Sequence, residues 1–268
     1  MTATATPTAA HRSRVSTTHR LTFLHLLRSE VIKIVSLRST WWSLGITAAI
    51  SVGMSLLVTA VARDLDGGYP AISAIVVPTQ FTMLVAGILG AIVVTGEYST
   101  GMIRSTLTAE PRRGAVLVAK SIVVAAVVAV TTVVVYAASI LLTAPLVAQG
   151  IDWTTPEAST VTLAWGVAAM AAFTLIGVGF GFLIRSSAGA IAATVGVLFV
   201  LPIVFTMFAF AGESWRWIVD AAQYLPSNAA ATLTSTGVDD RLPSVVALCG
   251  WVAGPLVLGW IALRSRDA

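Results

Sequence analysis

Six long apolar runs, each free of charged residues, alternate with short charged segments along the chain. A helix needs about 20 apolar residues to cross the hydrocarbon core of a bilayer, and every run is long enough. The pattern therefore predicts an all-α integral membrane protein with six transmembrane helices, which we expect at about 42–62, 75–95, 118–147, 161–184, 188–211 and 244–263.

Other stretches have patterns that differ from a membrane span. Between Leu21 and Ser39, apolar residues recur at helical spacing and polar residues occupy the other face, which predicts an amphipathic helix lying in the membrane interface. Residues 221–238 carry no charge but are too polar to face lipid, and we expect short re-entrant helices there, on the outer side before the last span. Residues 1–20 are polar and predict a disordered cytoplasmic tail, so residues 21–268 form a single transmembrane domain.

The composition supports a membrane protein and excludes several other classes. Hydrophobic residues make up 57% of the chain and charged residues 10%, whereas a soluble domain carries roughly 25% charged residues. The net charge of +4 does not indicate a nucleic-acid partner, because the basic residues follow membrane topology. A single cysteine rules out a disulfide within the chain.

The distribution of charge predicts the orientation. With a cytoplasmic amino terminus, 13 of the 16 Lys and Arg residues fall on the cytoplasmic side, and 8 of the 12 Asp and Glu residues fall outside. Lys and Arg are retained on the cytoplasmic side of membrane proteins. We therefore expect both termini, and the charged segment 96–120, to be cytoplasmic.

The segment 96–120 is the most charged part of the chain, and such a segment must project into water. If residues 97–107 form one helix, Glu97, Gly101 and Arg104 share a face, with a glycine notch between an acid and a base. Pro111 would then end the element. The alternative interpretation is that the arginines merely follow topology and pair with anionic lipid.

Several kinds of chemistry have no support in the sequence. No Asp or Glu lies in the middle of a span, which counts against a proton- or sodium-coupled transporter, and no nucleophile–base pair is evident. Residues 114–121 resemble a phosphate-binding P-loop, but Ala119 replaces its second glycine and no strand precedes it. We interpret Lys120 as an interfacial lysine at the start of the third span. No catalytic, cofactor-binding or metal site is predicted in this chain.

Six spans, an amphipathic amino-terminal helix and a charged loop after the second span together resemble the permease subunit of type-2 (ABC-2) exporters. Bacterial members carry a pattern similar to E-x-x-x-G-x-x-R-x-x-L-x-x-x-P-x-R at this place, where it forms a coupling helix that docks on a separate ATPase. The resemblance implies that role for Glu97, Tyr98, Gly101, Arg104, Leu107, Pro111 and Arg112. It also makes the helix at 21–39 a connecting helix.

The resemblance further implies a function. The chain would be the membrane half of an ATP-driven exporter in a bacterial plasma membrane, working with two copies of an ABC ATPase and a second permease chain, identical or different. ATP and magnesium would bind the ATPase and not this chain, and the cargo would be hydrophobic or amphipathic. Membrane lipids are expected contacts and nucleic acid is not. Polar candidates for lining the path are Thr79, Gln80, Thr82 and Thr206.

Two alternatives from other classes stay open at this point. A non-transporting scaffold or sensor would use the same loop for docking and would need no path through the membrane. A membrane enzyme acting on lipid would need polar groups near one interface, and the only outer cluster available comprises Asp220, Gln223, Tyr224 and Asn228.

Overall fold

The computed structural model describes residues 22–62, 70–147 and 151–265, and the regular structure in these ranges is all helical. Six helical segments in the described ranges are long and apolar enough to cross a membrane, which confirms the predicted fold class. They are Arg38–Ala62, Ala71–Ser99, Arg113–Leu146, Pro156–Ile184, Ser187–Phe210 and Leu242–Ser265. The tail predicted at 1–20 lies outside the described residues.

The first helix, α1 (Phe23–Ser36), begins at Thr22, whose side chain accepts a hydrogen bond from the backbone N–H of His25. This satisfies one of the free amides at the helix start. The helix is amphipathic as predicted, but its buried side chains are Leu26, Glu30 and Ile34. The predicted apolar face is therefore largely turned outwards: Leu24, for example, is 74% exposed.

Helix α2 (Arg38–Ala62) turns its hydroxyl side chains towards the bundle and its apolar side chains outwards. The inward hydroxyls bond to carbonyls one turn earlier, as Thr47 does to Ser43 at 2.7 Å and Thr59 to Ser55 at 2.7 Å. A lipid-facing surface must be apolar, whereas small hydroxyl residues suit contacts between helices.

Helices α4 (Thr79–Ser99) and α7 (Thr160–Ile184) form the centre of the bundle, and we call them the inner pair. A short helix, α3 (Ala71–Val76), leads into α4 through Pro78, which cannot donate a helical hydrogen bond. The two inner helices touch through their backbones: a Cβ on Gly177 would overlap the carbonyl oxygen of Gly87. Small residues thus allow the closest approach in the bundle.

Helices α6 (Arg113–Thr143) and α12 (Leu242–Ser265) pack against α7 from other sides. A Cβ on Gly179 would lie 2.6 Å from Pro255, so α12 also approaches α7 closely. A Cβ added at Gly250 or Gly254, the small pair on α12, would have no neighbour within 4 Å among the described residues. Only some of the glycines in the spans therefore serve packing within the chain.

The fifth span (Ser187–Phe210) lies mostly outside the bundle. It consists of α8 (Ser187–Val195), a π-helical turn (Gly196–Val200), α9 (Leu201–Met207) and a final 3₁₀ turn. Its buried residues are Ala190, Thr194 and Leu198. The outward face is apolar and bulky, with exposed Phe199, Val200, Ile203, Val204, Met207 and Phe210.

Short helices follow the fifth span. Of these, α10 (Arg216–Ala221) lies before the predicted stretch 221–238, while a 3₁₀ turn (Ala222–Tyr224) and α11 (Pro226–Leu233) lie within it, as expected. The side-chain amide of Asn228 donates to the carbonyl of Ala222 at 2.8 Å, and the Trp251 indole donates to the carbonyl of Tyr224 at 2.9 Å. The first bond closes the turn within the segment, and the second attaches the segment to α12.

Candidate functional site

The segment after α4 contains a break and a short helix, α5 (Met102–Ala109). Helix α4 ends at Ser99, and Gly101 has φ +71°, a left-handed conformation that glycine adopts readily and that commonly ends a helix. The expectation of one helix over 97–107 is therefore wrong. Glu97 and Arg104 belong to different helices and do not share a face.

Helix α5 lies on the bundle with one face buried and the other free. Ile103 is 2% exposed, and Leu107 packs into a cluster with Leu26 and Val116. On the opposite face Arg104 is exposed, and its guanidinium has no partner within the described parts of the chain. The helix is thus anchored by apolar contacts and presents one basic side chain, Arg104, to solvent.

Beneath α5 lies a group of four buried or half-buried charges, Glu30, Lys33, Glu97 and Lys120, which we call the four-charge cluster. Lys120 Nζ donates to Glu30 Oε2 at 2.5 Å and to Glu97 Oε1 at 2.7 Å. Lys33 Nζ donates to Glu30 Oε1 at 2.7 Å and to Glu97 Oε1 at 2.9 Å. Lys33 also reaches Thr106 Oγ1 at 3.3 Å. The cluster therefore joins α1, α4, α5 and α6.

The charges of this cluster sum to zero, which is what makes their burial tolerable. A buried ion loses its hydration, and only well-made hydrogen bonds to an opposite charge offset that cost. Burial alone would lower the pKa of Lys33, but hydrogen bonds and the negative charges of Glu30 and Glu97 outweigh this effect and raise it. Lys33 is therefore held in its charged form, and the junction between the four helices is ionic.

The interpretation of Lys120 as an interfacial lysine is wrong, since its side chain is 1% exposed. Sequence reasoning also missed Glu30 and Lys33, because their partners lie far away along the chain. One signal was available: Lys120 follows the apolar stretch 115–119 within a helix, a depth at which a lysine needs a buried partner.

Two arginines tie the end of α12 to the same region. Arg113 Nη1 donates to the carbonyl of Leu263 at 2.6 Å, and Arg185 Nη2 donates to the carbonyl of Ala262 at 2.7 Å. The last carbonyls of a helix have no partners within the helix, so these arginines satisfy them. Arg185 also lies over the ring of Tyr98, 5.3 Å from its centroid.

These contacts define one end of the molecule, which we call the loop end: it holds α1, α5, the start of α6 and the last turn of α12. Both the first and the last described helices therefore reach the same end of the bundle. The short helices α10 and α11 lie at the opposite end.

The structure divides the seven candidate coupling residues by accessibility. Glu97 is buried in the four-charge cluster, while Tyr98 and Leu107 are half-buried against the bundle; the exposed members are Gly101, Arg104, Pro111 and Arg112. Arg112 makes a two-bond ion pair with Glu110, at 2.8 and 2.9 Å. Hydrogen bonding from Arg112 lowers the pKa of the Glu110 carboxyl.

The four candidate path residues do not line one space within this chain. Thr79 and Thr82 face an interior cavity of about 20 Å³ between α2, α4, α6 and α7, enough for roughly one water molecule. Thr79 Oγ1 lies 2.8 Å from the Tyr136 hydroxyl there. Gln80 is half-buried, and Thr206 is exposed on α9. Their role in a path stays a prediction.

The described residues form a multi-pass, all-helical membrane protein whose short helix between two spans, α5, packs through Ile103 and Leu107 above a cluster of buried ions. The sequence profile of the ABC-2 family transporter protein matches residues 61–268, more than half of the chain, and the chain belongs to this family. Such proteins are membrane components of transporters and are generally not catalytic themselves. Comparison with curated proteins gives no match. The predicted resemblance to the ABC-2 permease family is confirmed.

Proposed function

We propose that this protein is the permease subunit of an ATP-driven exporter and that the exposed face of α5 receives a separate ABC ATPase. Membership of the ABC-2 family supports an ATPase partner in general terms. The observation that carries the proposal is the geometry of α5: it is anchored on one side and carries an unpaired arginine on the other, among the described residues.

The four-charge cluster would transmit the motion of the ATPase to the spans. A push on α5 reaches Lys33 through Thr106, and from Lys33 it reaches α1, α4 and α6 at once through ionic hydrogen bonds shorter than 3 Å. A group of helices joined in this way moves more nearly as one body than helices joined by a flexible loop. ATP and magnesium would be bound by the partner.

The loop end would face the cytoplasm of a bacterial cell. The support is the excess of Lys and Arg in the segments that meet at this end, because basic residues are retained on the cytoplasmic side. The ATP-binding partner would then have access to cytoplasmic ATP, and α10 and α11 would lie at the outer surface.

A second permease chain would cover the fifth span. Its outward face is bulky and apolar, and little of it contacts the rest of this chain. In a Cys249→Ser background, we expect Ile203→Cys to form a covalent dimer on mild oxidation in membranes, and Val133→Cys on the exposed side of α6 to form none. Equal crosslinking at the two positions would argue against an interface at α9.

The docking proposal is tested by purifying the tagged protein from native membranes in mild detergent and measuring ATP hydrolysis in the eluate. We expect Arg104→Glu to lower that hydrolysis at least about tenfold, since a reversed charge at a docking surface creates repulsion. The matched control is Arg216→Glu, an exposed arginine at the opposite end, which should leave hydrolysis unchanged. A chain that elutes without any ATPase would instead favour a scaffold.

The direction of transport needs a separate assay. Inside-out membrane vesicles expose the proposed cytoplasmic side to added ATP, so an exporter should accumulate a fluorescent short-chain phospholipid in the lumen when ATP is supplied. Depletion of the lumen under ATP would indicate import and would contradict the proposal.

A further inference from the structure

We propose that a groove between α1, α2 and α6 binds one acyl chain of an anionic phospholipid from the leaflet at the loop end. The groove has a volume of about 740 Å³, and its wall is almost wholly apolar. Residues that shape it include Val31 and Val35 on α1, Gly45 and Ala48 on α2, and Ala126 and Val130 on α6.

The length of the groove matches one leaflet. On α6 its wall runs from Ile122 to Val135, which is about 20 Å at the rise of an α-helix. The hydrocarbon core of a bilayer is about 30 Å thick, so one leaflet accounts for about 15 Å. A transmembrane helix of a partner would need a surface that continues across both leaflets.

A volume of about 740 Å³ along a wall of about 20 Å accommodates a linear hydrocarbon chain. The floor of the groove is open at Gly45, where an added Cβ would have no neighbour within 4 Å.

The charge at the mouth of the groove favours an anionic headgroup. Arg28 follows Leu27 of the groove wall and shares its side of α1 with the exposed residues Leu24 and Val31. Arg38 begins α2, two residues before Thr40 of the wall. Both arginines are exposed, and neither has an ion-pair partner within the described parts of the chain. A phosphate would supply the missing negative charge.

Trp41 closes the groove at the headgroup level. Its indole N–H donates to the carbonyl of Val35 at 2.9 Å, at the turn between α1 and α2. Tryptophan is enriched at the boundary between headgroups and hydrocarbon. The bound lipid would thus have its chain along α6 and its phosphate beside the arginines, and it would press α1 onto the four-charge cluster. This site stands on the geometry of the chain, whether or not an ATPase binds.

Native mass spectrometry of the purified protein tests the site with palmitoyl-oleoyl phosphatidylglycerol and the matching phosphatidylcholine as probes. We expect the wild type to retain one phosphatidylglycerol per chain in preference to phosphatidylcholine. Gly45→Phe should abolish that retention by filling the groove. Gly53→Phe, also on α2 with no neighbour within 4 Å of an added Cβ, is the matched control and should retain the lipid.

The headgroup contact is tested by Arg28→Gln and Arg38→Gln, each of which should reduce the preference for phosphatidylglycerol by about fivefold. Unchanged retention in Gly45→Phe would overturn the proposal, and so would equal retention of the two lipids by the wild type. A change of oligomeric state in Gly45→Phe without loss of lipid would also overturn it, because the groove would then be a contact between chains.

Discussion

The inner pair and the fifth span are almost equally hydrophobic, yet they occupy opposite situations in the molecule. The segments containing α4 and α7 have mean hydropathies of 1.9 and 2.3, and 61% of an 18-residue apolar stretch in each is buried. The fifth span has a mean hydropathy of 2.4, and 11% of the corresponding stretch is buried. Hydrophobicity therefore does not decide which helix lies inside.

The difference lies in side-chain size. Lipid tails are as apolar as leucine, so burial between helices gains little from hydrophobicity and depends on close packing. The inner pair supplies Gly87 and Gly177 at its crossing point, whereas the outward face of the fifth span carries Phe199 and Met207. In this protein, helices with small residues at their contacts lie at the centre of the bundle, and large side chains face lipid or a partner.

The largest effect is expected from a bulky side chain at the contact between α4 and α7. Gly177→Leu should destabilise the protein by about 5 kcal/mol or more, because the new side chain would overlap backbone atoms of α4 that cannot move aside. Gly196→Leu in the fifth span, where an added Cβ has no neighbour within 4 Å, should change stability by less than about 0.5 kcal/mol. Thermal unfolding in detergent measures both, and equal losses would contradict the size argument.

A second variant removes one positive charge from the four-charge cluster, which lies at the end of α4. Lys120→Met leaves Glu30 and Glu97 with one ammonium between them and should cost about 3 kcal/mol, since an unpaired buried carboxylate is strongly unfavourable. The control is Arg216→Met, which breaks the exposed Arg216–Glu213 pair beyond the fifth span and should cost under about 1 kcal/mol. The midpoint of thermal unfolding distinguishes the two. Similar midpoints would mean that the cluster contributes no more than a surface ion pair.

Replacing a glycine with positive φ by valine should destabilise the two regions by similar amounts. Gly101 after α4 and Gly212 after the fifth span both have positive φ and open surroundings. Gly101→Val and Gly212→Val should each cost about 1–2 kcal/mol through backbone strain. Asn should cost less than Val at Gly101, whose φ of +71° and ψ of 3° lie in the left-handed helical region, but not at Gly212, whose ψ of 174° lies in a region almost exclusive to glycine. If Asn and Val proved equally harmful at Gly101 in the same unfolding assay, strain would not be the cause.

The smallest effect concerns pH. The raised pKa of Lys33 means that its contribution to stability is fully present below the ordinary lysine pKa of about 10.4. That contribution is lost as the pH rises through the higher folded pKa. We expect a loss of stability above about pH 10.5 that is smaller in Lys33→Met, measured by unfolding from pH 8 to 11. An identical alkaline loss in the variant would assign it to other groups.

The sequence allowed the spans and the short helices to be predicted because hydropathy and polarity repeat over long windows. It did not distinguish the packed pair Gly177 and Gly181 from the exposed pair Gly250 and Gly254, since both have the same spacing. The choice between them depends on which helix lies opposite, and that is a property of the folded bundle.

The four-charge cluster was missed for a similar reason. Lys33 and Glu97 are 64 residues apart, and Glu30 and Lys120 are 90 apart, so no local pattern relates them. The break in front of α5 had a visible signal: a serine, a threonine and then Gly101 is a common way for a helix to end. On sequence alone, Gly101 is instead interpreted as a notch within one continuous helix.

The same separation along the chain has a consequence for biosynthesis. Glu30, Lys33 and Glu97 are made before Lys120, and until it arrives the group has an excess negative charge. At about 5–20 residues per second, the ribosome reaches Lys120 roughly 5–18 s after Glu30. The amino-terminal helix therefore acquires its final attachment only when the start of the third span has been made, and arrest of translation before Lys120 should leave this helix free for capture by chaperones.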